Sequence, residues 1–224
     1  SESCSVVELS ALRDVELHGL MRAVDELDVA RYRYISVHAP SKFRTMSERQ
    51  IARALKPCVD RGWPIILHPD VIEDHGCWRE FGHLLCLENM DKRKGSGRTA
   101  DELAKHFDSL PEASLCLDLG HARQVDPTFG IARQILRRYG DRLTQVHLSE
   151  LDAQCQHKHL SMATVWAVRE IVSQIPDAPV VIESVVAPSE ISREVSMARA
   201  CFELPRSARP TGQTFEAEHS QALT

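Results

Sequence analysis

Six short apolar runs, each closing on a histidine, aspartate or glutamate, constrain what this chain can fold into. YISVHAP closes on His38, PIILHPD on His68, LLCLENMD on Glu88, SLCLDLGHARQVD on Asp118 and His121, LTQVHLSE on His147 and PVVIESVV on Glu183. Runs this short and this apolar read as strands buried on both faces rather than as helices. Helical patterns lie between them. Glu16–Asp28 places Leu17, Leu20, Met21, Val24 and Leu27 on one face, and Ser47 can cap a helix running to Arg61, where Gly62 ends it. The segment 71–83 holds a short helix at most. Thr99 and Glu102 form a capping box for a helix to Leu110, and Thr128–Tyr139, Ser161–Gln174 and Ser189–Phe202 complete the set.

With an opening strand at Ser5–Ser10, strand and helix alternate seven times. Such short crossovers require parallel strands. An open doubly wound sheet or a (β/α) barrel satisfies that requirement. An open sheet gathers its site at one switch point. Here almost every strand supplies a chemically active side chain at its carboxyl end, as a barrel converging on one face would. The expected fold class is therefore α/β, a TIM-type (β/α) barrel with seven strand–helix units visible and a first unit missing before Ser5. The barrel domain is expected over 1–203. The polar segment 204–224, with Pro205 and Pro210 and no apolar period, is expected to be a poorly ordered tail.

Composition narrows the class of function. The 224 residues, 43% of them apolar, suffice for one domain with a sizeable core. A net charge of −5 gives no electrostatic pull toward nucleic acid or a membrane surface. No apolar run approaches the roughly 18–20 residues of a membrane span. No secretory signal is visible, although the chain starts at Ser1. The seven cysteines include no C-x-x-C pair, which points to a reducing, cytoplasmic setting.

One histidine or carboxylate at a strand end is commonly a structural residue or a helix cap. A whole ring of them reads differently. Buried carboxylates at Glu88, Asp118 and Glu183 would repel one another and carry a large desolvation cost, which a bound divalent cation removes. Mixed histidine and carboxylate ligands suit zinc or manganese better than calcium or magnesium. Gly120, between Asp118 and His121, permits a tight turn that aims both side chains at one point. His157 and His159 could share an ion only in extended backbone, where alternate side chains face the same way. His18, His106 and His219 read as surface residues, and His75 and His83 remain unassigned. The loop Asn89–Arg98 follows Glu88 and carries Lys92, Arg93, Lys94 and Arg98 with Gly95 and Gly97. It leads into the helix capped by Thr99, so Lys92, Arg93 and Arg98 are candidates for binding a phosphate or carboxylate of the substrate.

From Ser5 to Phe202 this ordered set of strand-end residues resembles the xylose-isomerase-like barrel superfamily, which includes sugar isomerases and epimerases and the endonuclease IV nucleases. In the epimerase branch the resemblance implies one divalent metal on Glu88, Asp118, His147 and Glu183, with the two glutamates shuttling a proton. In the nuclease branch it implies three zinc ions, with His38 and His68 joining Glu88 for one. His121 joins the pair His157 and His159 for another, although this chain has a histidine where the family has aspartate in that pair.

The expected function is a metal-dependent isomerase or epimerase acting on a small carbohydrate or sugar phosphate, with one to three zinc or manganese ions. Glu88 and Glu183 would be its general bases, and His121 would steady a substrate hydroxyl. The alternatives are an endonuclease IV-like zinc phosphoesterase and a non-catalytic barrel kept as a binding scaffold. The acidic balance and tight loops argue against a nucleic-acid substrate, and the oligomeric state stays open.

Overall fold

The structure, a computed structural model, describes residues 4–203; the tail expected over 204–224 lies outside the described residues. Its strands are β1 (Val6–Ser10), β2 (Tyr34–His38), β3 (Ile65–Leu67), β4 (Leu85–Glu88), β5 (Ser114–Asp118) and β6 (Leu143–Leu148). A two-residue hairpin follows, β7 (Glu150–Leu151) with β8 (His157–Lys158), and then β9 (Val180–Ile182). The helices are α1 (Asp14–Ala23), α2 (Glu48–Asp60), α3 (Ala100–Ser109), α4 (Leu119–Val125), α5 (Gly130–Tyr139), α6 (Met162–Arg169) and α7 (Ile191–Phe202). The main sheet runs β1-β2-β3-β4-β5-β6-β9, with every neighbouring pair parallel.

That sheet curls almost into a closed barrel. Glu8 of β1 and Gln145 of β6 stand at the first and sixth places in the strand order, yet Gln145 Nε2 lies 2.6 Å from Glu8 Oε2. Two such side chains meet only if the sheet bends round on itself. Closure is incomplete, because β1 and β9 are not hydrogen-bonded neighbours. Between them lies a cavity of about 670 Å³ lined by Val6, Glu8, Val180, Ile182, Ala198 and Phe202. A (β/α)₈ barrel has eight strands, one more than this sheet shows among the described residues.

Strand parity sorts the core into two parts. Leu85 and Leu87 of β4 and Leu115 and Leu117 of β5 join the large apolar cluster formed with the helices. Ile66, Cys86 and Cys116 form a separate small cluster within the barrel. Successive side chains on a strand face opposite ways, so a residue two positions further on faces inward again. Two positions beyond Ile66, Cys86 and Cys116 stand His68, Glu88 and Asp118. The apolar floor and the polar residues above it are one pattern.

Several boundaries depart from expectation for local reasons. α1 starts at Asp14, whose buried carboxylate accepts the backbone N–H groups of Arg44, Thr45 and Met46, and the helix stops before Leu27, which is 40% exposed. Ser47 and Gln50 cap α2 reciprocally. At α3 the expected box is split: Thr99 accepts from Glu102 N, but the Glu102 carboxylate accepts from Arg98 N instead of Thr99 N. The single helix expected from Thr128 begins at Gly130, after Phe129 in the left-handed region at φ 56°. Short 3₁₀ turns fill the stretch between β3 and β4.

Candidate metal centre

The carboxyl ends of the strands bring the expected residues together. His38, Glu88 and Asp118 are the last residues of β2, β4 and β5, His68 and Glu183 directly follow β3 and β9, and His147 is the penultimate residue of β6. All six lie in the barrel mouth, with Glu88, Asp118 and His147 fully buried and Glu183 partly open.

Glu88 is the hub. Its Oε2 lies 3.2 Å from His38 Nε2 and 3.2 Å from His68 Nε2, while its Oε1 lies 3.1 Å from His121 Nδ1 and 3.4 Å from His147 Nδ1. His147 Nδ1 is also 3.4 Å from Glu183 Oε1. The ligand atoms of His38, His68 and Glu88 all fall within 4.8 Å of one another, as do those of Glu88, Asp118, His147 and Glu183. Either group could hold a metal ion, and Glu88 belongs to both.

The neighbouring hydrogen bonds prepare these atoms. His38 Nδ1 lies 2.7 Å from the carbonyl oxygen of Ala39 and donates to it, so Nε2 is the nitrogen an ion would take, and without an ion it carries a proton toward Glu88. Asn89 clasps the backbone of Asp118 from both sides, donating to its carbonyl oxygen and accepting from its N–H, which fixes the end of β4 to the end of β5. Asp118 also caps α4 by accepting the N–H of His121. Gly120 serves by its lack of a Cβ rather than by a turn, since a Cβ there would sit 2.9 Å from the Ser149 carbonyl oxygen.

Polar atoms left over in this region fit a cation. Glu88 Oε1, Asp118 Oδ2, His147 Nδ1 and Glu183 Oε2 are buried without a hydrogen-bond partner among the described residues. An unsatisfied buried polar atom costs about 1–3 kcal/mol, and more when charged. Four of them converging from four strands match the lone pairs a metal ion would take. Protons are held tightly meanwhile. Burial opposes charge on His38, but its hydrogen bond to Glu88 and the nearby carboxylates outweigh that and raise it to about 9. Burial, reinforced by the Asp118 and Glu88 charges, pushes the Glu183 carboxyl up to about 8.

The other expected residues divide. His121 joins the centre, 3.3 Å from Asp118 Oδ2. His157 approaches it, with Nδ1 2.9 Å from Ser149 Oγ and 3.9 Å from Glu183 Oε2. His159 does not: its imidazole is 44% exposed and lies 4.0 Å from Glu190. The extended backbone of β8 ends at Lys158, so the alternation that would align His157 with His159 is lost. In the basic loop, Arg93 pairs with the buried Asp91 and bonds the Gln154 carbonyl, Arg98 pairs with Glu102 and Lys94 with Asp70, while Lys92 is exposed. His106, read as a surface residue, is 2% exposed and lies 3.1 Å from His75 Nε2.

One neighbouring carboxylate was not anticipated. Glu8, from the middle of β1, belongs with His38 and Glu183 to a third group able to hold an ion. It stands inside its strand rather than at the end, so the strand-end pattern passes over it.

Fold and site together define a parallel (β/α) barrel with a histidine–carboxylate centre at the carboxyl ends of its strands. Its fold is that of the xylose-isomerase-like TIM barrels. A solved protein of that kind from Mycobacterium smegmatis, in complex with magnesium, overlays with a TM-score of 0.54 at 11% identity, over 88% of this chain and 84% of that one. Endonuclease IV from Thermus thermophilus overlays at 0.49 and 17% identity, over 88% of this chain and 97% of the other. A 3-keto-D-glucoside 4-epimerase from E. coli gives 0.48 and 11%, over 89% and 99%. These two overlaps are too loose to fix a fold by themselves. No family model and no curated protein matches the sequence.

Proposed function

We propose that this chain is a metal-dependent enzyme whose centre takes two divalent ions, zinc or manganese, and cleaves a phosphate ester of a small molecule such as a sugar phosphate. The observation that carries this is the division of Glu88 between two sets of imidazoles, Oε2 toward His38 and His68 and Oε1 toward His147 and His121. A carboxylate placed so could serve both sets of ligands, one through each oxygen. One ion would leave His38 and His68 without a role.

Divalent ions bound there supply Lewis acidity toward a phosphoryl oxygen and lower the pKa of a water molecule. The side chains do the rest. His38 and His68 with Glu88 would hold one ion, and Asp118, His147 and Glu183 with Glu88 would hold the second. Asn89 keeps Asp118 from turning away. His157, half-buried at the mouth beside Ser149, is placed to donate to a departing oxygen. Arg93 and Arg98 flank the mouth but are already paired, so they take second place in holding an anion.

A second reading, sugar isomerisation or epimerisation, is favoured by Glu88 and Glu183 falling in the same four-residue group. With a single ion, one glutamate would remove a proton beside a carbonyl and the other return it. Metal titration separates the two readings. Two ions per chain are expected, falling to one in His68→Ala; a single ion, unaffected by His68→Ala, overturns the two-ion proposal and leaves the isomerase.

A further inference from the structure

Glu8 is a buried carboxylate in the interior of an apolar strand, and its surroundings are specific. Its side chain is 6% exposed. A single oxygen, Oε2, accepts from Ser36 Oγ at 2.9 Å, lies 2.6 Å from the Gln145 amide nitrogen, and lies 3.2 Å from His147 Nε2. Ser36 is its register partner on β2, and Gln145 precedes His147 by two residues on β6, so both belong to the inward face. Ser36 reaches Glu8 from the neighbouring strand, while Gln145 and His147 reach it across the barrel interior from β6.

The consequence lies on the imidazole of His147. Its Nδ1 faces Glu88 at 3.4 Å and Glu183 at 3.4 Å, on the side where the ligand atoms converge. Its Nε2 faces Glu8. A neutral imidazole carries one proton, and a nitrogen that binds a metal must be the bare one. An ionised carboxylate can only accept, so the nitrogen facing Glu8 is the one that carries the hydrogen. Gln145 acts the other way, because its amide nitrogen, which can only donate, also lies 2.6 Å from His147 Nε2. Glu8 prevails once a cation takes Nδ1, because Nε2 must then keep its hydrogen and the carboxylate is the acceptor it faces.

We propose that Glu8 is a positioning residue for the metal centre: it holds His147 as the Nε2–H tautomer and aims Nδ1 at the ion. This deepens the metal-centre reading and rests on it, without depending on which reaction follows. Partners of this kind on ligating histidines are worth about tenfold to a hundredfold in metal affinity. The third grouping of Glu8 with His38 and Glu183 gives the competing role, a direct ligand. Since His38 already commits Nε2 toward Glu88 and its Nδ1 to Ala39, that group lacks a free imidazole lone pair.

The test uses Zn²⁺ as the probe. In wild-type protein labelled with ¹⁵N-histidine and loaded with Zn²⁺, long-range ¹H–¹⁵N spectra should show His147 protonated at Nε2. Protonation at Nδ1 overturns the proposal with no variant needed. Glu8→Gln, checked for folding by thermal melting, should keep the full number of ions at saturating Zn²⁺ while losing about tenfold to a hundredfold in affinity. Loss of an ion at saturation makes Glu8 a ligand and overturns the positioning role, as does an unchanged affinity. Failure of the wild type to bind Zn²⁺ overturns the metal centre itself, and the proposal with it.

Discussion

Gly120 lies so close to Ser149 that a Cβ on it would sit 2.9 Å from the Ser149 carbonyl oxygen and 2.9 Å from its hydroxyl. This contact presses the first turn of α4 against the end of β6 and so sets Asp118 and His121 beside His147. The clashing atom is backbone, which cannot swing aside. Gly120→Ala is expected to destabilise the protein by about 1–3 kcal/mol, the usual cost of overpacking. It should also weaken metal binding by displacing Asp118, read by thermal melting and Zn²⁺ competition. Unchanged stability would mean that α4 moves freely.

Asp118 should be far more sensitive than a remote residue. Asp118→Asn removes one charge from the group of Glu88, Asp118, His147 and Glu183 while leaving the α4 cap able to form. Zn²⁺ affinity is expected to fall at least about tenfold, or about 1.4 kcal/mol. His18→Asn, on the exposed face of α1, serves as the control and should change nothing. Equal effects of the two substitutions would refute the assignment.

Acidity at the centre gives a pH dependence with a definite sign. The metal-free protein holds His38 raised to about 9 despite its burial, through Glu88, and His121 raised to about 10 despite its burial, through Asp118 and Glu88. A group with a raised folded-state pKa contributes stability that is complete below its unfolded value and is lost as pH rises through the folded one. For both histidines that loss starts from the ordinary value of 6.5, and for Glu183, raised by burial to about 8, it starts from 4.5. All three act in the same direction. The melting temperature of the metal-free protein should therefore fall from about pH 7 to about pH 9.5. Zn²⁺ affinity should weaken as pH is lowered over the same range, because bound protons must leave the ligands. A metal-free melting temperature that is flat or rising over this window contradicts the arrangement.

The basic loop has a sharper test now that its pairings are known. Arg93 covers Asp91, whose side chain is 1% exposed, and Arg98 is tied to Glu102. If these arginines hold a substrate anion, Arg93→Gln with Arg98→Gln should raise KM for a phosphorylated substrate by about tenfold or more, on the order of 1.4 kcal/mol, and spare a neutral one. If they serve only the loop, melting temperature falls and both substrates respond alike.

Much of this was legible from residue order alone. Short apolar runs ending in His38, His68, Glu88, Asp118, His147 and Glu183 imply parallel strands with a shared mouth, because strand parity and crossover chirality leave few other arrangements. The sequence alone therefore determined the fold class, the strands and most of the side chains that meet at the strand ends. Tertiary structure decided what depends on through-space distance. Glu8 joins the group only because the sheet curls far enough to bring β1 within reach of β6. His159 leaves it because β8 ends one residue too early, and Arg93 folds over its own loop because Asp91 is buried beneath it. His106, which sits on a helix and reads as surface by type, is buried by its packing against His75. Spacing along a chain records which face of an element a residue occupies, while curvature, loop ends and ion-pair partners arise only when distant segments meet.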